Sequence, residues 1–320
     1  MRVSEAESLE SPIGLDKLTA LQQTQLNAKR WRMWKERGIE GVLFLAAASS
    51  VFVTVGILTI LVVESVPFFK TVPMGEFMFT TEWTPLFANP KFGILPLLAG
   101  TFLTTAIALS VAIPVGTIIA VYLSEYAPAP LREWLKPILE LLAAVPTVVY
   151  GYFALLFVTP ILQKFFPEMS GFNALSAGLV MGVMIVPYVS SLSEDAMRAV
   201  PAHFREASFA VGGTRLQTSF KVVIPAAFSG VMSAYILAIA RALGETMVVA
   251  IAAGLQPNFT LNPVQPVATI TAFIVQVSMG DLPHGSIGYQ SIYVAGLTLM
   301  LFTLVFNLIG FALRRRFRES

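Results

Sequence analysis

The chain has 320 residues, 56% of them hydrophobic and 12% charged, with a mean hydropathy of +0.74 and a formal net charge of +2. So little charge cannot cover a soluble globule of this length, and the composition marks a membrane protein. The absence of cysteine excludes a disulfide framework and any thiolate metal or redox centre, while His203 and His284, the two histidines, sit in different loops; no metal site is expected.

Taken in chain order, residues 1–40 read as a cytoplasmic tail. Met1 to Pro12 is polar and acidic, unlike a cleaved signal peptide, and is expected to be disordered. Leu18, Leu21, Trp31 and Trp34 among Gln, Lys and Arg then suggest an amphipathic helix at the membrane interface. A spanning helix needs about 20 mostly apolar residues, and six stretches qualify, centred on Gly41 to Val63, Gly93 to Ser124, Leu141 to Gln163, Met169 to Ser193, Val222 to Gly254 and Ile287 to Leu313. The first transmembrane helix is placed at 41–66 and the permeating core at 93–313. The segment 67–92 between them, with Phe68, Phe69, Phe77, Phe79, Trp83 and Phe87, is expected outside the membrane, anchored on its surface by aromatic rings. Pro96, Pro114, Pro146, Pro160 and Pro187 interrupt three of the spans, and Gly178 and Gly182 form a small-xxx-small pair suited to close helix contact.

Basic residues set the expected orientation. Arg2, Lys17, Lys29, Arg30, Arg32, Lys35 and Arg37 precede the first span; Arg132, Lys136, Arg198, Arg205, Arg215 and Lys221 fall in alternate loops; Arg314, Arg315, Arg316 and Arg318 close the chain in a basic C-terminus at 314–320. The opposite loops hold Lys70, Lys91 and Lys164. By the positive-inside rule both termini are cytoplasmic. The small net charge lies in these clusters, which face lipid headgroups, so nucleic acid is not an expected partner.

Within the loop from Ala199 to Phe220, a short helix is expected between Pro201 in its first turn and a left-handed stop at Gly212-Gly213. Phe204, Ala207, Ser208 and Val211 then share one face, flanked by Arg205 and Glu206. A helix this short is not stable alone in water. Docking of its small-residue stripe into a groove of another protein accounts for it, the alternative being a helix packed on its own bundle.

Two charges fall inside the fifth span. With entry near Ala226, Arg241 lies about 22 Å deep at 1.5 Å per residue, near the middle of the hydrocarbon core. A charge there is costly unless paired, and Glu245, four residues on, can pair with it on the same helix face. A purely structural ion pair is the alternative to a role in transport. Glu140 lies near the interface, where water can reach it, and Thr101, Thr104, Thr105 and Thr147 offer hydroxyls that also commonly bond their own helix backbone.

The run Arg205-Glu206-Ala207-Ser208 with Gly212, closed by Val222-Val223-Ile224-Pro225, resembles the EAA loop of ABC importer permeases, with Ser208 in place of the usual second Ala. The resemblance extends from about Leu97 to Leu313. Gly100-Thr101-Phe102-Leu103-Thr104-Thr105, Ala144-Val145-Pro146-Thr147-Val148-Val149-Tyr150-Gly151 and Arg241-Ala242-Leu243-Gly244-Glu245-Thr246 resemble the PstC-type subunits of its phosphate-specific branch. That similarity implies an all-α polytopic fold with six transmembrane helices, the type I ABC importer permease (MetI-like) fold, in the bacterial inner membrane. It implies an ATPase-coupling helix at 199–213 using Phe204, Arg205, Glu206, Ala207, Ser208, Val211 and Gly212, and a substrate path through Arg241, Glu245, Thr246, Thr101, Thr105, Thr147 and Glu140. Arg241 would serve as a transient counter-charge for phosphate, held by Glu245. The implied partners are a homologous PstA-type permease, two copies of an ABC ATPase and an external phosphate-binding protein.

No G-x-x-x-x-G-K-[ST] loop is present, so ATP and Mg must be held by the partner ATPase and this chain carries no cofactor of its own. No catalytic constellation is visible, and the chain reads as a transport subunit rather than an enzyme. A permease for molybdate or sulfate, the PstA-type sister, a secondary carrier working without ATP, and a structural scaffold are the competing readings. A carrier would transport alone in liposomes and has no use for a docking stripe; a scaffold leaves Arg241 unexplained.

Overall fold

The structure is a computed structural model that describes residues 12–87, 89–280, 282–283 and 285–318. The expected disorder of the first dozen residues and the reading of His284 lie outside the described residues, as do the side chains of the tail before Arg32 and of residues 313–320. Among the described residues the fold is helical, with only isolated bridges between Trp83 and Phe92 and between Gly254 and Val267. Contacts divide the chain into units 1–60 and 61–320.

The first unit consists of most of helix α1 (Pro12–Thr71), which carries the tail and the first span as one continuous helix. Its portion Lys35–Thr71 is long and apolar enough to cross a membrane. No polar break separates tail from span because residues 12–40 lack any interior Pro and hold good helix formers.

The second unit is a bundle. Helices α3 (Leu95–Val121), α7 (Ala174–Arg198) and α14 (Ile287–Arg318) supply three further uninterrupted spans. Two more are bent. Helix α4 (Ala129–Ala144) meets α5 (Thr147–Phe153) at 85°, the latter extended by a π-helical turn and α6 (Thr159–Gln163). The segment Arg215–Ala226, which contains α9 (Arg215–Thr218), a π turn and α10 (Ile224–Ala226), meets α11 (Phe228–Leu243) at 74°. With each bent pair taken as one span, six crossings result, as expected from hydropathy.

The bends correct two boundaries. The third stretch is not one straight helix from Leu141, because Pro146 forces Val145 into an extended backbone (φ −63°, ψ 130°). The fifth does not run on to Gly254: α11 stops at Leu243 with Gly244 as its cap, and α12 (Met247–Ala252) is a separate short helix. By contrast Pro114 and Pro187 sit inside α3 and α7 without breaking them.

Helices α3 and α7 run parallel and in close contact. A Cβ on Gly178 would meet Ile107 at 2.7 Å, one on Gly182 the Ala108 carbonyl at 2.8 Å, and one on Gly116 the Val189 side chain at 2.7 Å. The small-xxx-small pair therefore serves an internal contact. Around it Ala108, Ala112, Ala177, Met181, Met184, Ile185 and Val189 form a core continuous with Ala238 of α11 and with Val248, Val249 and Ala252 of α12.

The aromatic segment departs from expectation. Phe68, Phe77, Trp83 and Phe92 are buried and pack edge to face on one another and on Phe273 of α13 (Ile270–Ser278), so they build a cap core rather than surface anchors. Only Phe79 and Phe87 point outward, 81% and 70% exposed. Aromatic rings bury more apolar area in such a cluster than at an interface, which favours the packed arrangement.

Candidate functional site

Arg241 lies in the last turn of α11, and its Nη1 donates to Oε2 of Glu245 at 3.1 Å. Glu245 itself lies in the break after Gly244, so the pair closes across a helix end rather than along a helix face. The carboxylate is 2% exposed, and its Oε1 accepts the N–H groups of Met247 and Val248, the free donors at the start of α12. Thr271 Oγ1 donates to the Glu245 carbonyl at 2.7 Å. The backbone here surrenders helix continuity because the carboxylate satisfies the same N–H groups that the next helical turn would have used.

Arg241 is 35% exposed, and its guanidinium carbon stands 5.8 Å from the centre of the Tyr188 ring on α7. A carboxylate on one side and an aromatic face on the other lower the cost of the charge while leaving one edge open. The arrangement is a fixed cation, counterbalanced but accessible, about 20 Å along α11 from its start at Phe228.

The remaining candidates are divided by their hydrogen bonds. Thr246 is half-buried beside the pair, its hydroxyl donating to the Gly244 carbonyl. Thr101 is committed to the fold: it donates to the Leu97 carbonyl and accepts from Ile270 N–H. Thr104 bonds the Gly100 carbonyl. Thr105 is buried, and its hydroxyl has no protein partner among the described residues. Thr147 opens α5 and is half-buried, whereas Glu140 is exposed on α4. Tyr188 and Thr271 were missed; a tyrosine directly after Pro187 in a span was the available signal for the first.

The second site is the polar loop. Helix α8 (Ala202–Ala210) begins after Pro201, which is its cap rather than part of its first turn, and ends at Gly212, whose φ of +84° only glycine adopts without strain. Phe204 and Val211 are 45% and 87% exposed, and Glu206 and Ala207 are exposed with them. Arg205 and Ser208 face the other way. Arg205 holds both carboxylate oxygens of Glu125 at 2.8–3.3 Å and also donates to the carbonyls of Val200 and Met197. Ser208 shares a 2.8 Å hydrogen bond with Thr218. The expected stripe is thus split, with Phe204, Ala207 and Val211 presented outward and Ser208 turned onto the bundle; Arg205 acts as a tether instead of flanking a docking face. The helix buries none of its own residues, so these two polar contacts fix it.

A third polar group was not anticipated. Glu194, fully buried near the end of α7, receives Lys136 of α4 at 2.9 Å and lies 3.5 Å from Arg198. Lys136 also reaches Asp195 at 2.6 Å.

Residues 112–319 match the family described as binding-protein-dependent transport system inner membrane component. The probable ABC transporter permease YqgH of Bacillus subtilis is 36% identical over 73% of this chain and 75% of its own length. The phosphate transport system permease PstC of Mesorhizobium japonicum is 33% identical over 74% of this chain and 76% of that protein. Among solved structures, a bacterial ABC transporter importing the acidic polysaccharide alginate superposes with a TM-score of 0.62 at 14% identity, over 89% of this chain and 99% of the other, and shows a shared fold. The chain belongs to the binding-protein-dependent transport system inner membrane components, as a PstC-type permease subunit of an ABC importer with the type I permease fold.

Proposed function

We propose that this permease carries inorganic phosphate inward, driven by ATP hydrolysis on separate subunits. The observation that supports it most directly is the Arg241–Glu245 pair at the break between α11 and α12. A planar guanidinium suits a tetrahedral oxyanion because its paired donors match two oxygens at once. The Glu245 carboxylate keeps the site from holding the anion too tightly, as conduction requires entry and release alike. Thr246 stands beside the pair, and Thr105, with its unpartnered hydroxyl, is a further candidate for the path; Thr147 and Glu140, on either side of the α4–α5 bend, belong to it in this reading.

In the same reading the outward residues Phe204, Glu206, Ala207 and Val211 of α8 seat in a groove of an ABC ATPase, present in two copies and holding ATP and Mg. A PstA-type permease forms the other half of the path, an external phosphate-binding protein delivers the anion, and both termini are cytoplasmic. Closure of the ATPases draws the docking helices together and reorients the path.

Replacing Arg241 by Gln removes the cation while keeping a polar side chain. Phosphate uptake by the reconstituted complex is expected to be abolished, with co-purification of the ATPase unchanged. Uptake at the unsubstituted rate would refute the assignment.

A further inference from the structure

The proposed function leaves the Lys136–Glu194 group without a role. Among the described residues, α4 has no buried side chain, yet it ends at the 85° bend that positions α5. Lys136, 28% exposed, ties it to α7 by reaching into a carboxylate that is 0% exposed. Oε1 of Glu194 makes no hydrogen bond, since Arg198 approaches it only to 3.5 Å, so Lys136 supplies the one close donor to a buried charge. A carboxylate at that depth left with Arg198 at 3.5 Å as its one cation is disfavoured, which favours α4 staying with α7.

Glu194 precedes the cap of the docking helix, Pro201, by less than two helical turns along the same chain segment. Beyond α4, Tyr150 of α5 donates across the bend to the Leu142 carbonyl at 2.7 Å. Further on, α5 rests on α12: a Cβ on Gly151 would lie 3.0 Å from Ile251 and 3.1 Å from the Met247 carbonyl. Met247 N–H in turn caps the Glu245 carboxylate. A contiguous chain of contacts therefore runs from the docking helix through α7, α4 and α5 to the Arg241–Glu245 pair.

We infer that Lys136 is a positioning residue, and that its ion pair with Glu194 is the link by which displacement of the docking helix swings α4 and reorients α5 against α12. The inference rests on the proposed ATP-driven transport. It assigns Lys136 no contact with the transported anion.

The test uses the whole complex with its ATPase and binding protein in proteoliposomes, measuring phosphate uptake, ATP hydrolysis and co-purified ATPase for wild type, Lys136→Gln, Lys136→Arg and Asp195→Asn. With Lys136→Gln, uptake is expected to fall roughly tenfold while hydrolysis stays within about twofold, a ratio within the usual range of coupling between distant sites. Lys136→Arg restores coupling, and Asp195→Asn, which leaves Lys136 its buried partner Glu194, lowers uptake less than Lys136→Gln does. Lys136→Gln matching wild type, or losing uptake, hydrolysis and co-purified ATPase in parallel, would overturn the inference, the second outcome marking a merely structural role. Absence of phosphate uptake by wild type would instead refute the proposed function.

Discussion

Removing the Arg205 tether should free helix α8 without unfolding the bundle. The guanidinium makes three contacts of 2.8–3.3 Å to Glu125 and one each to the Val200 and Met197 carbonyls. Losing one member of a buried pair costs about 3–5 kcal/mol; Arg205 is 20% exposed, Glu125 is 7% exposed, and water can reach the freed carbonyls, which brings the local cost to about 2–3 kcal/mol. Because α8 buries no residue, that loss falls almost entirely on the opening of residues 202–210. In Arg205→Ala, amide hydrogen exchange of that segment, followed by mass spectrometry of the subunit in nanodiscs, is expected to accelerate by roughly 30- to 160-fold. Arg205→Lys, which keeps the charge but cannot fork, should fall between. Unchanged exchange across α8, or equal acceleration throughout α3 and α7, would refute the reasoning.

The aromatic cap offers a contrast between neighbours. Trp83→Ala is expected to destabilise the protein by about 3–5 kcal/mol in detergent thermal unfolding, because a fully buried ring is lost from the aromatic cluster, whereas Phe79→Ala should lie within about 0.5 kcal/mol of wild type. At Gly100 a Cβ would collide with the carbonyl of Ala268, a backbone group that cannot rotate away. Gly100→Ala is therefore expected to cost about 1–3 kcal/mol or more and to lower the unfolding temperature, with a wild-type temperature counting against so close an approach.

Much of this was legible in the chain itself, and the part that was not has a common cause. Hydropathy located the crossings because spanning helices are read from local composition. Pro201 and Gly212 announced the ends of α8 because capping depends on a few neighbouring residues. The four-residue spacing brought Arg241 to Glu245 even though the helix breaks between them, since both geometries allow the pair. Sequence spacing carried no information about Glu125 with Arg205, 80 residues apart, or Lys136 with Glu194, 58 apart; only the fold joins them. Phe68 and Trp83 were misread for a related reason, because an aromatic ring at a membrane surface and one in a packed cap have the same local surroundings along the chain.

Among the described residues, two π-helical turns carry or adjoin the anchors of α8: Tyr122–Tyr126, which holds Glu125, and Ser219–Val223, which follows Thr218. A wide turn accommodates one residue beyond an α turn, so tightening it rotates everything downstream by about 100° at little cost in backbone hydrogen bonds. Both anchors of α8 are thus mounted at or beside wide turns, where a one-residue change of winding would re-aim Glu125 and Thr218 without unfolding either helix.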